Sequence, residues 1–448
     1  MNRNARFDEA WQAGLSVAER VAGTGWDVLL VRDLLGRLSL VIDDREDGNA
    51  GDEGALTSLK EEFTEATRPF TGKTPVQRAL SMFAAEVLLD SPDVTVIAER
   101  PPGGGTGRLS LLERTVVGAD WLRPPHADGA AENRRVALYG FKGGVGRSTA
   151  TTVLARHLAD QGRCVLVVDL DLESPGVSGL LQEPGQLPDF GVVDHLVEAA
   201  VGGGDDLDLV CRSSVLPMSG NGEVWLAPAG GRPREGYEFL AKLNRIYSDL
   251  PPAADGSGPR TFAERLDAAI TACEDQVARL SRRPDVVLLD SRAGIHDIAA
   301  VTITQLSGLA LLFAVDNPGT WAGYGMLFDQ WRRTGSAARV RERLRLVAAM
   351  MPAVGSEERL HVLRDNAQEQ FGLLYDDEEG VDFDAFNPPL EDENAPHAPI
   401  PIYFSNELVG LDPALDRDWI ALPHIANAYG AFLGRVERLM PEARTESA

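Results

Sequence analysis

Residues 135–152 join an apolar segment, a glycine-rich turn and a helix-forming segment. Three glycines, Gly143, Gly144 and Gly146, lie in the turn, and glycine adopts most readily the backbone angles that a tight turn needs. Such a turn lets successive backbone N–H groups point at one spot, where the following helix adds the positive end of its dipole. The sequence therefore predicts a phosphate site between a strand and a helix.

The first residues of that helix refine the prediction. Ser148 and Thr149 follow the turn, and a hydroxyl at the position of Ser148 binds Mg²⁺ in phosphate-binding loops of this type. The residue directly before it is Arg147, where the common motif has lysine. A guanidinium group keeps the positive charge but is planar, larger and forked. We therefore expect phosphate binding to survive this change.

Segments typical of strands and helices alternate after residue 134. Cys164–Asp169 and Asp285–Asp290 are continuous apolar runs that end in a carboxylate, as expected of strands buried on both faces of a sheet. This alternation predicts an α/β fold with a mostly parallel sheet flanked by helices.

Carboxylates follow two of these apolar runs. Asp169 and Asp171 leave one strand and Asp290 leaves the other, at the sheet edge where open α/β folds bind their ligands. A carboxylate at such a place can hold a Mg²⁺-bound water opposite the loop hydroxyl. We predict a metal site made by Ser148, Asp169 and Asp290. The alternative for Asp169 and Asp171 is that they only cap the turn that follows.

The motifs carry a family resemblance. Lys142 to Thr149, KGGVGRST, resembles the deviant Walker A loop of ParA/MinD-like P-loop ATPases of the SIMIBI class, and is most similar to a branch with KGGVGR in place of KGGVGK. The DSRAG sequence that begins at Asp290 is similar to the DSPAG segment of MinD-like proteins, with Arg292 in place of proline. The resemblance implies a P-loop NTPase fold and ATP and Mg²⁺ as cofactors.

The resemblance also implies residue roles. Asp171 would position the attacking water, and Lys142 would reach the nucleotide of a second subunit, so that ATP holds a homodimer together and hydrolysis releases it. The backbone at Gly294 would approach the γ-phosphate. Asn317 and Pro352 follow later strands at the ligand edge. They are candidate walls for the nucleobase, and the simpler alternative is that they only form the turns there. The full predicted nucleotide site comprises Lys142, Gly143, Gly144, Val145, Gly146, Arg147, Ser148, Thr149, Gly294, Asn317 and Pro352.

Arg147 affects the expected rate of ATP hydrolysis. With Asp171 and Lys142 it belongs to the predicted catalytic set, and it would bridge the β- and γ-phosphates. Because its charge is preserved but its shape is not, we expect a weak ATPase rather than an inactive one. Arg292 either contacts phosphate or pairs with a neighbouring acid.

Composition shifts divide the chain. We predict a small α+β domain at residues 1–122, which contains no motif that indicates a reaction. A linker is expected at residues 123–134 and the ATPase domain at residues 135–445. Residues 376–400 hold nine carboxylates, four prolines and no lysine or arginine, which predicts a mobile acidic insertion. Helices are expected at 54–67, 76–90, 235–247, 261–280, 297–306, 320–333 and 422–440, and strands at 94–100, 224–229, 309–315 and 344–351.

Charge and cysteine content exclude several functions. A formal net charge of −25 over 448 residues disfavours direct binding to nucleic acid or anionic lipid. The three cysteines, Cys164, Cys211 and Cys273, lack the CxxC spacing that an iron–sulfur carrier would need and suit a reducing cytoplasm. The sequence begins without the apolar region of a signal peptide and has no run long enough for a membrane span. The acids Asp43, Asp44, Glu46 and Asp47 could form a second metal site but more simply face solvent.

Three functions remain open. The first is an ATP-driven dimerisation switch that acts on an unidentified protein partner, in a signalling or defence setting that the resemblance suggests. The second is a nucleotide sensor that binds without turnover. The third is a kinase or a synthetase-type enzyme that transfers the phosphoryl group, although the final segment, GRVERLMPEARTESA, lacks the tyrosines of the related tyrosine kinases.

Overall fold

The structure is a computed structural model. It describes residues 5–45, 53–91, 93–99, 107–115, 118–122, 134–216, 220–250, 258, 260–376, 385–409, 419 and 422–440. The chain divides into two compact units, Met1–Ala119 and Asp120–Ala448. All but one residue of the predicted linker, 123–134, lies outside the described residues.

The first unit holds a mixed five-stranded sheet with two long helices. Its strands have the order β3-β2-β1-β5-β4, in which β1 is antiparallel to β2 and parallel to β5. Its elements are α1 (Phe7–Ala22), β1 (Asp27–Arg32), β2 (Leu38–Asp43), α2 (Glu53–Thr67), β3 (Thr71–Arg78), α3 (Glu86–Leu89), β4 (Val94–Ala98) and β5 (Leu109–Glu113). The predicted α+β architecture is confirmed.

One helix prediction in this unit is wrong. The expected helix at 76–90 is replaced by the end of β3, a short turn and α3. β3 pairs with β2 in parallel, so that a backbone partner distant in sequence overrides the local helical pattern. Asp43 and Asp44 pair with Arg45 and Arg78 respectively, which compensates their charge, while Glu46 and Asp47 lie outside the described residues.

The second unit is built on an eight-stranded sheet with the order β13-β12-β11-β6-β10-β7-β9-β8. All neighbours are parallel except β8, a short antiparallel edge strand. The strands are β6 (Arg135–Gly140), β7 (Cys164–Leu170), β8 (Cys211–Arg212), β9 (Glu223–Ala227), β10 (Val286–Ser291), β11 (Leu309–Ala314), β12 (Leu344–Met351) and β13 (Ile400–Tyr403). The predicted α/β fold with a mostly parallel sheet is confirmed.

Helices cover both faces of this sheet. They are α4 (Ala119–Leu122), α5 (Arg147–Asp160), α6 (Val177–Leu181), α7 (Val192–Glu198), α8 (Phe239–Leu243), α9 (Phe262–Leu280), α10 (Asp297–Val301), α11 (Pro318–Arg333), α12 (Ala337–Val340), α13 (Ser356–Phe371) and α14 (Pro423–Leu439). Alternate residues of β7 face opposite cores: Val165 and Val167 pack with α5 and α14, whereas Leu166 and Val168 pack with α7 and α9. Every residue of β7 is therefore buried, which explains why its sequence is a continuous apolar run.

Two further expectations differ from the structure. The helix expected at 235–247 is reduced to α8. Part of the acidic segment packs against the sheet instead of extending from it, because Ala395, His397 and Ala398 are buried and Leu346 donates its backbone N–H to Pro396. Residues 377–384 of that segment lie outside the described residues. Among the helices that the structure describes, none has the length and apolarity needed to cross a bilayer.

Candidate functional site

The glycine-rich loop connects the end of β6 to the start of α5. Gly144 and Gly146 adopt φ values of +73° and +81°, which side chains other than glycine rarely tolerate. A Cβ atom at Gly143, Gly144 or Gly146 would meet no atom within 4 Å, so the space above the loop is open. None of these three glycine amides donates a hydrogen bond to another residue in the described part of the chain. The loop thus presents donors to an open cradle at a helix N-terminus.

The hydroxyl of Ser148 meets the carboxylate predicted for the metal. Its Oγ donates to Oδ2 of Asp290 over 2.7 Å, and Oγ1 of Thr151, one turn further along α5, lies 3.4 Å from Oδ1. Asp290 lies opposite Asp169 in the register of β10 and β7, so both acids occur at the same level of the sheet edge. The structure therefore brings together all three predicted metal ligands.

Both buried carboxyl groups have raised pKa values. Burial raises the pKa of Asp290 to about 6, although Arg147 and the Ser148 hydroxyl oppose the shift. Burial and the nearby Asp290 raise the pKa of Asp169 to about 7. Asp169 also accepts hydrogen bonds from the backbone N–H and hydroxyl of Ser178 and from the N–H of Asp171. These bonds fix the segment that leaves β7.

The raised pKa of Asp169 predicts a pH-dependent stability. Between pH 4 and 7 Asp169 keeps its proton in the folded protein but has released it in the unfolded chain. The stability that this bound proton provides at low pH is therefore lost as pH rises through 7. From pH 6 to pH 8 we expect Asp169 to remove about 1 kcal/mol of unfolding free energy. Denaturant titrations of the protein without nucleotide at both pH values measure this loss.

Asp169→Asn should show a smaller loss of stability over the same pH range. Three buried or half-buried histidines, His195, His296 and His397, have pKa values lowered by burial and contribute a slope of opposite sign, but they do so equally in both proteins. Asp189→Asn, which changes a surface carboxylate paired with Arg232, serves as the control and should keep the original slope. Equal slopes in all three proteins would contradict the prediction.

Arg147 reaches across the site. Its side chain is buried, with Nη1 donating to the backbone oxygen of Ser291 over 2.5 Å and Nη2 lying 3.4 Å from Oδ2 of Asp171. Burial raises the pKa of Asp171, while the charges of Arg147 and Arg292 oppose that rise. The predicted catalytic carboxylate and the unusual arginine of the loop are therefore in contact, and both adjoin the end of β10.

Lys142 lies on the other side of the loop, near α11. Its side chain is exposed, and Nζ donates to Oδ1 of Asn317 over 3.1 Å; the same oxygen caps the first turn of α11. A Cβ atom at Gly319 would lie 2.6 Å from Nζ, and one at Gly323 would lie 2.2 Å from the ring of Phe141. Two glycines one turn apart on α11 therefore make room for the first residues of the loop.

The remaining predicted residues lie at the same sheet edge. The amide of Gly294 donates to Gly140 over 3.4 Å, and the hydroxyl of Tyr139 donates to the oxygen of Gly294. Val145 turns into the core, and Thr149 is half-buried in the first turn of α5. Pro352 is half-buried directly after β12, two strands away from β6, and its role as a nucleobase wall stays a prediction.

Sequence reasoning missed three contributors. Glu173 forms an ion pair with Arg292. It also accepts a hydrogen bond from the hydroxyl of Tyr247, which is 74 residues away in sequence. Gly176 approaches the loop so closely that a Cβ atom there would lie 3.0 Å from Oγ of Ser148. Glu173 was visible in the segment DLDLESPG, but nothing in the sequence indicated its partners.

The residues present suit a nucleoside triphosphate with Mg²⁺. The open glycine cradle offers backbone donors to phosphate oxygens, and Arg147 and Lys142 supply positive charge at its two sides. A serine hydroxyl beside buried aspartates is the oxygen donor set that Mg²⁺ prefers. In the described part of the chain no group of three or more His, Cys, Asp and Glu side chains forms a metal cluster, so the Mg²⁺ ligands would include the hydroxyl and the phosphates.

Part of the chain is similar in sequence to known proteins. Residues 136–371, just over half of the chain, match the model of the family described as the CobQ/CobB/MinD/ParA nucleotide binding domain. A segment of 129 residues is 32% identical to the cytosolic Fe-S cluster assembly factor CFD1 of Chaetomium globosum. The aligned region covers 26% of this chain and 41% of that protein. A segment of 50 residues is 50% identical to the chromosome-partitioning ATPase Soj of Thermus thermophilus, covering 11% of this chain and 20% of that protein.

Solved structures that are similar to this chain are more distant in sequence. A chain of the MinC:MinD cell division protein complex of Aquifex aeolicus is 15% identical, with a TM-score of 0.40 and coverage of 70% of this chain and 99% of that one. The chain described here spans less than half the length of both curated relatives.

Proposed function

Because the chain belongs to the CobQ/CobB/MinD/ParA nucleotide-binding domain family, we propose that it is a slow ATPase that works as a nucleotide-dependent dimerisation switch on a protein partner. The observation that carries this proposal is that the segments after three neighbouring strands, β6, β7 and β10, lie close together at one edge of the sheet. Ser148 contacts Asp290 at 2.7 Å, and Arg147 contacts Asp171 at 3.4 Å, beside an open glycine cradle.

Each residue has a role in this proposal. The amides of Gly143, Gly144 and Gly146 bind the β-phosphate, since they lie at the start of α5 and no described residue accepts a hydrogen bond from them. Ser148, supported by Asp290 and Asp169, holds Mg²⁺, which supplies charge neutralisation at the phosphates when bound. Gly294 would bind the γ-phosphate through its amide, once that amide leaves the oxygen of Gly140.

The two proposed charge carriers differ in position. Arg147 is buried and would bridge the β- and γ-phosphates from within the subunit, whereas Lys142 is exposed and would exchange its contact with Asn317 for one with a second copy of the chain. Asp171 orients the attacking water. It must first separate from Arg147, and this pairing together with the shape of guanidinium makes turnover slow.

The Arg147–Asp171 contact also supports a second candidate function. If Arg147 keeps Asp171 engaged when the triphosphate is bound, water is not activated and the protein acts as a nucleotide sensor without turnover. A flat phosphate-release assay with ATP-induced dimerisation intact would favour the sensor over the ATPase.

The two units suggest a division of labour. We assign residues 135–445 to the ATPase and propose that residues 1–122 form an adaptor or sensor for the partner, with residues 123–134 as the linker. Support for this assignment comes from the family match over residues 136–371 and from the division of the chain into two units.

Light scattering after size-exclusion chromatography tests the switch. With Mg²⁺ and ATP the protein should elute with the mass of a dimer, and with ADP or without nucleotide it should elute as a monomer. Ser148→Ala, which removes the hydroxyl beside Asp290, should stay monomeric under all three conditions. A mass that does not change with nucleotide in the unaltered protein would remove the dimerisation switch while leaving nucleotide binding open.

A further inference from the structure

An ion pair joins the two segments that leave β7 and β10. Glu173 follows β7, Arg292 follows β10, and their side chains are in direct contact. The side chains are only 21% and 30% exposed, so water screens the pair less than a surface ion pair. The contact therefore restrains both segments at the edge of the candidate site.

Neighbouring groups hold the glutamate in place. The hydroxyl of Tyr247, from the segment between α8 and α9, donates to Oε1 of Glu173, while Arg292 contacts Oε2. Nε2 of His296 lies 3.4 Å from Oε1, and the rings of Tyr247 and His296 are 4.9 Å apart. Oε1 therefore accepts a hydrogen bond and Oε2 contacts the guanidinium group, which orients Glu173 toward Arg292.

This pair lies beside a second carboxylate–guanidinium contact. Asp171, two residues before Glu173, is next to Arg147, and Arg147 also binds the backbone oxygen of Ser291, directly before Arg292. The two acids after β7 thus hold the two arginines nearest to the loop. A triphosphate in the cradle would bring new oxygens to the same arginines.

We infer that Glu173 competes with the terminal phosphate of ATP for Arg292 and thereby sets how strongly the protein prefers ATP to ADP. The inference rests on the proposed function, since it requires a nucleotide in the glycine loop. A guanidinium group binds phosphate oxygens with two parallel hydrogen bonds, at least as well as it binds a carboxylate. Arg292 lies two residues before Gly294, in the turn proposed to approach the γ-phosphate. ADP lacks that phosphate and leaves the ion pair intact.

Binding of Mg²⁺-ATP and Mg²⁺-ADP to the full chain, measured by calorimetry, tests the inference. Glu173→Gln, which keeps the shape of the side chain but removes its charge, should tighten ATP binding about fivefold and change ADP binding less than twofold. Arg292→Gln should weaken ATP binding about tenfold, with ADP again nearly unchanged. The ratio of the two dissociation constants should therefore move in opposite directions in the two variants.

Two further variants complete the experiment. Tyr247→Phe leaves both charged partners in place but removes the hydroxyl that orients Glu173. It should shift the ratio in the same direction as Glu173→Gln, by a smaller amount. This variant replaces Glu173→Gln in the experiment if that protein does not fold. Asp189→Asn breaks a surface ion pair with Arg232 and should leave the ratio unchanged. Equal shifts for ATP and ADP, or no shift in any site variant, would overturn the inference. If the unaltered protein binds neither nucleotide, the proposed function itself fails.

Discussion

An Asp171→Ala variant is expected to release phosphate from ATP about 100-fold more slowly than the unaltered protein. Asp171 is the carboxylate after β7 that contacts Arg147, at 3.4 Å, and only 16% of its side chain is exposed. Positioned acids and bases contribute about 10²–10⁴-fold to such reactions, and we take the lower end because the starting activity is weak. A continuous phosphate-release assay with the purified protein measures both rates.

ATP binding should survive this substitution. Removing Asp171 frees Arg147 for phosphate oxygens, so we expect the affinity for ATP to stay equal or to increase. Asp160→Asn provides the matched control, because Asp160 is an aspartate at the opposite end of α5 whose partner, Arg156, lies outside the site. Its rate should equal that of the unaltered protein. If Asp171→Ala and Asp160→Asn release phosphate at the same rate, the role assigned to Asp171 is wrong.

The second large effect concerns Lys142. Lys142→Ala should abolish the ATP-dependent dimer and lower phosphate release to the background rate, a loss of 10²-fold or more, since charge supplied in trans contributes about 10³–10⁵-fold in related reactions. The exposed ammonium group donates to Asn317 at 3.1 Å, and no carboxylate in the described part of the chain pairs with it, so it is available for a phosphate of a second subunit. Light scattering and phosphate release together measure the effect.

Two controls distinguish this role from a general loss of charge. Lys60→Ala removes an exposed lysine of α2 and should change neither dimerisation nor rate. Arg333→Ala removes an exposed arginine at the far end of α11, which pairs with Asp329, and should leave the dimer intact. ATP should still bind to Lys142→Ala within a few-fold of its normal affinity. An ATP-dependent dimer formed by this variant would exclude the proposed contact in trans.

The sequence carried most of the information on the second unit. Parallel strands buried on both faces, such as β7 and β10, appear as short apolar runs, and the loops after them contain the polar residues of the site. α13 and β13 were not predicted, and for α13 the reason is physical. α13 is a polar helix that buries only Leu363, Ala367 and Phe371, at intervals of four residues, and such a narrow apolar stripe gives little periodicity.

Pairings between distant residues could not be predicted. The presence of Lys142, Ser148 and Asp290 in one site follows from the motifs and from the rule that ligands bind at the carboxyl edge of such sheets. The contacts of Arg292 with Glu173 and of β3 with β2 depend on tertiary packing, which no local pattern encodes. For Arg292 the sequence left two alternatives, a phosphate contact or an acid partner, and the structure supplies an acid partner.

The order of strands has a consequence for synthesis of the chain. β6 and β7 are consecutive in sequence, but β10 lies between them and pairs with both. Until residue 291 has been synthesised, β6 and β7 lack the strand that lies between them, and the loop after β6 lacks the carboxylate that contacts Ser148. A nascent chain that stops earlier leaves one edge of each strand unpaired and prone to aggregation, and its nucleotide site is incomplete.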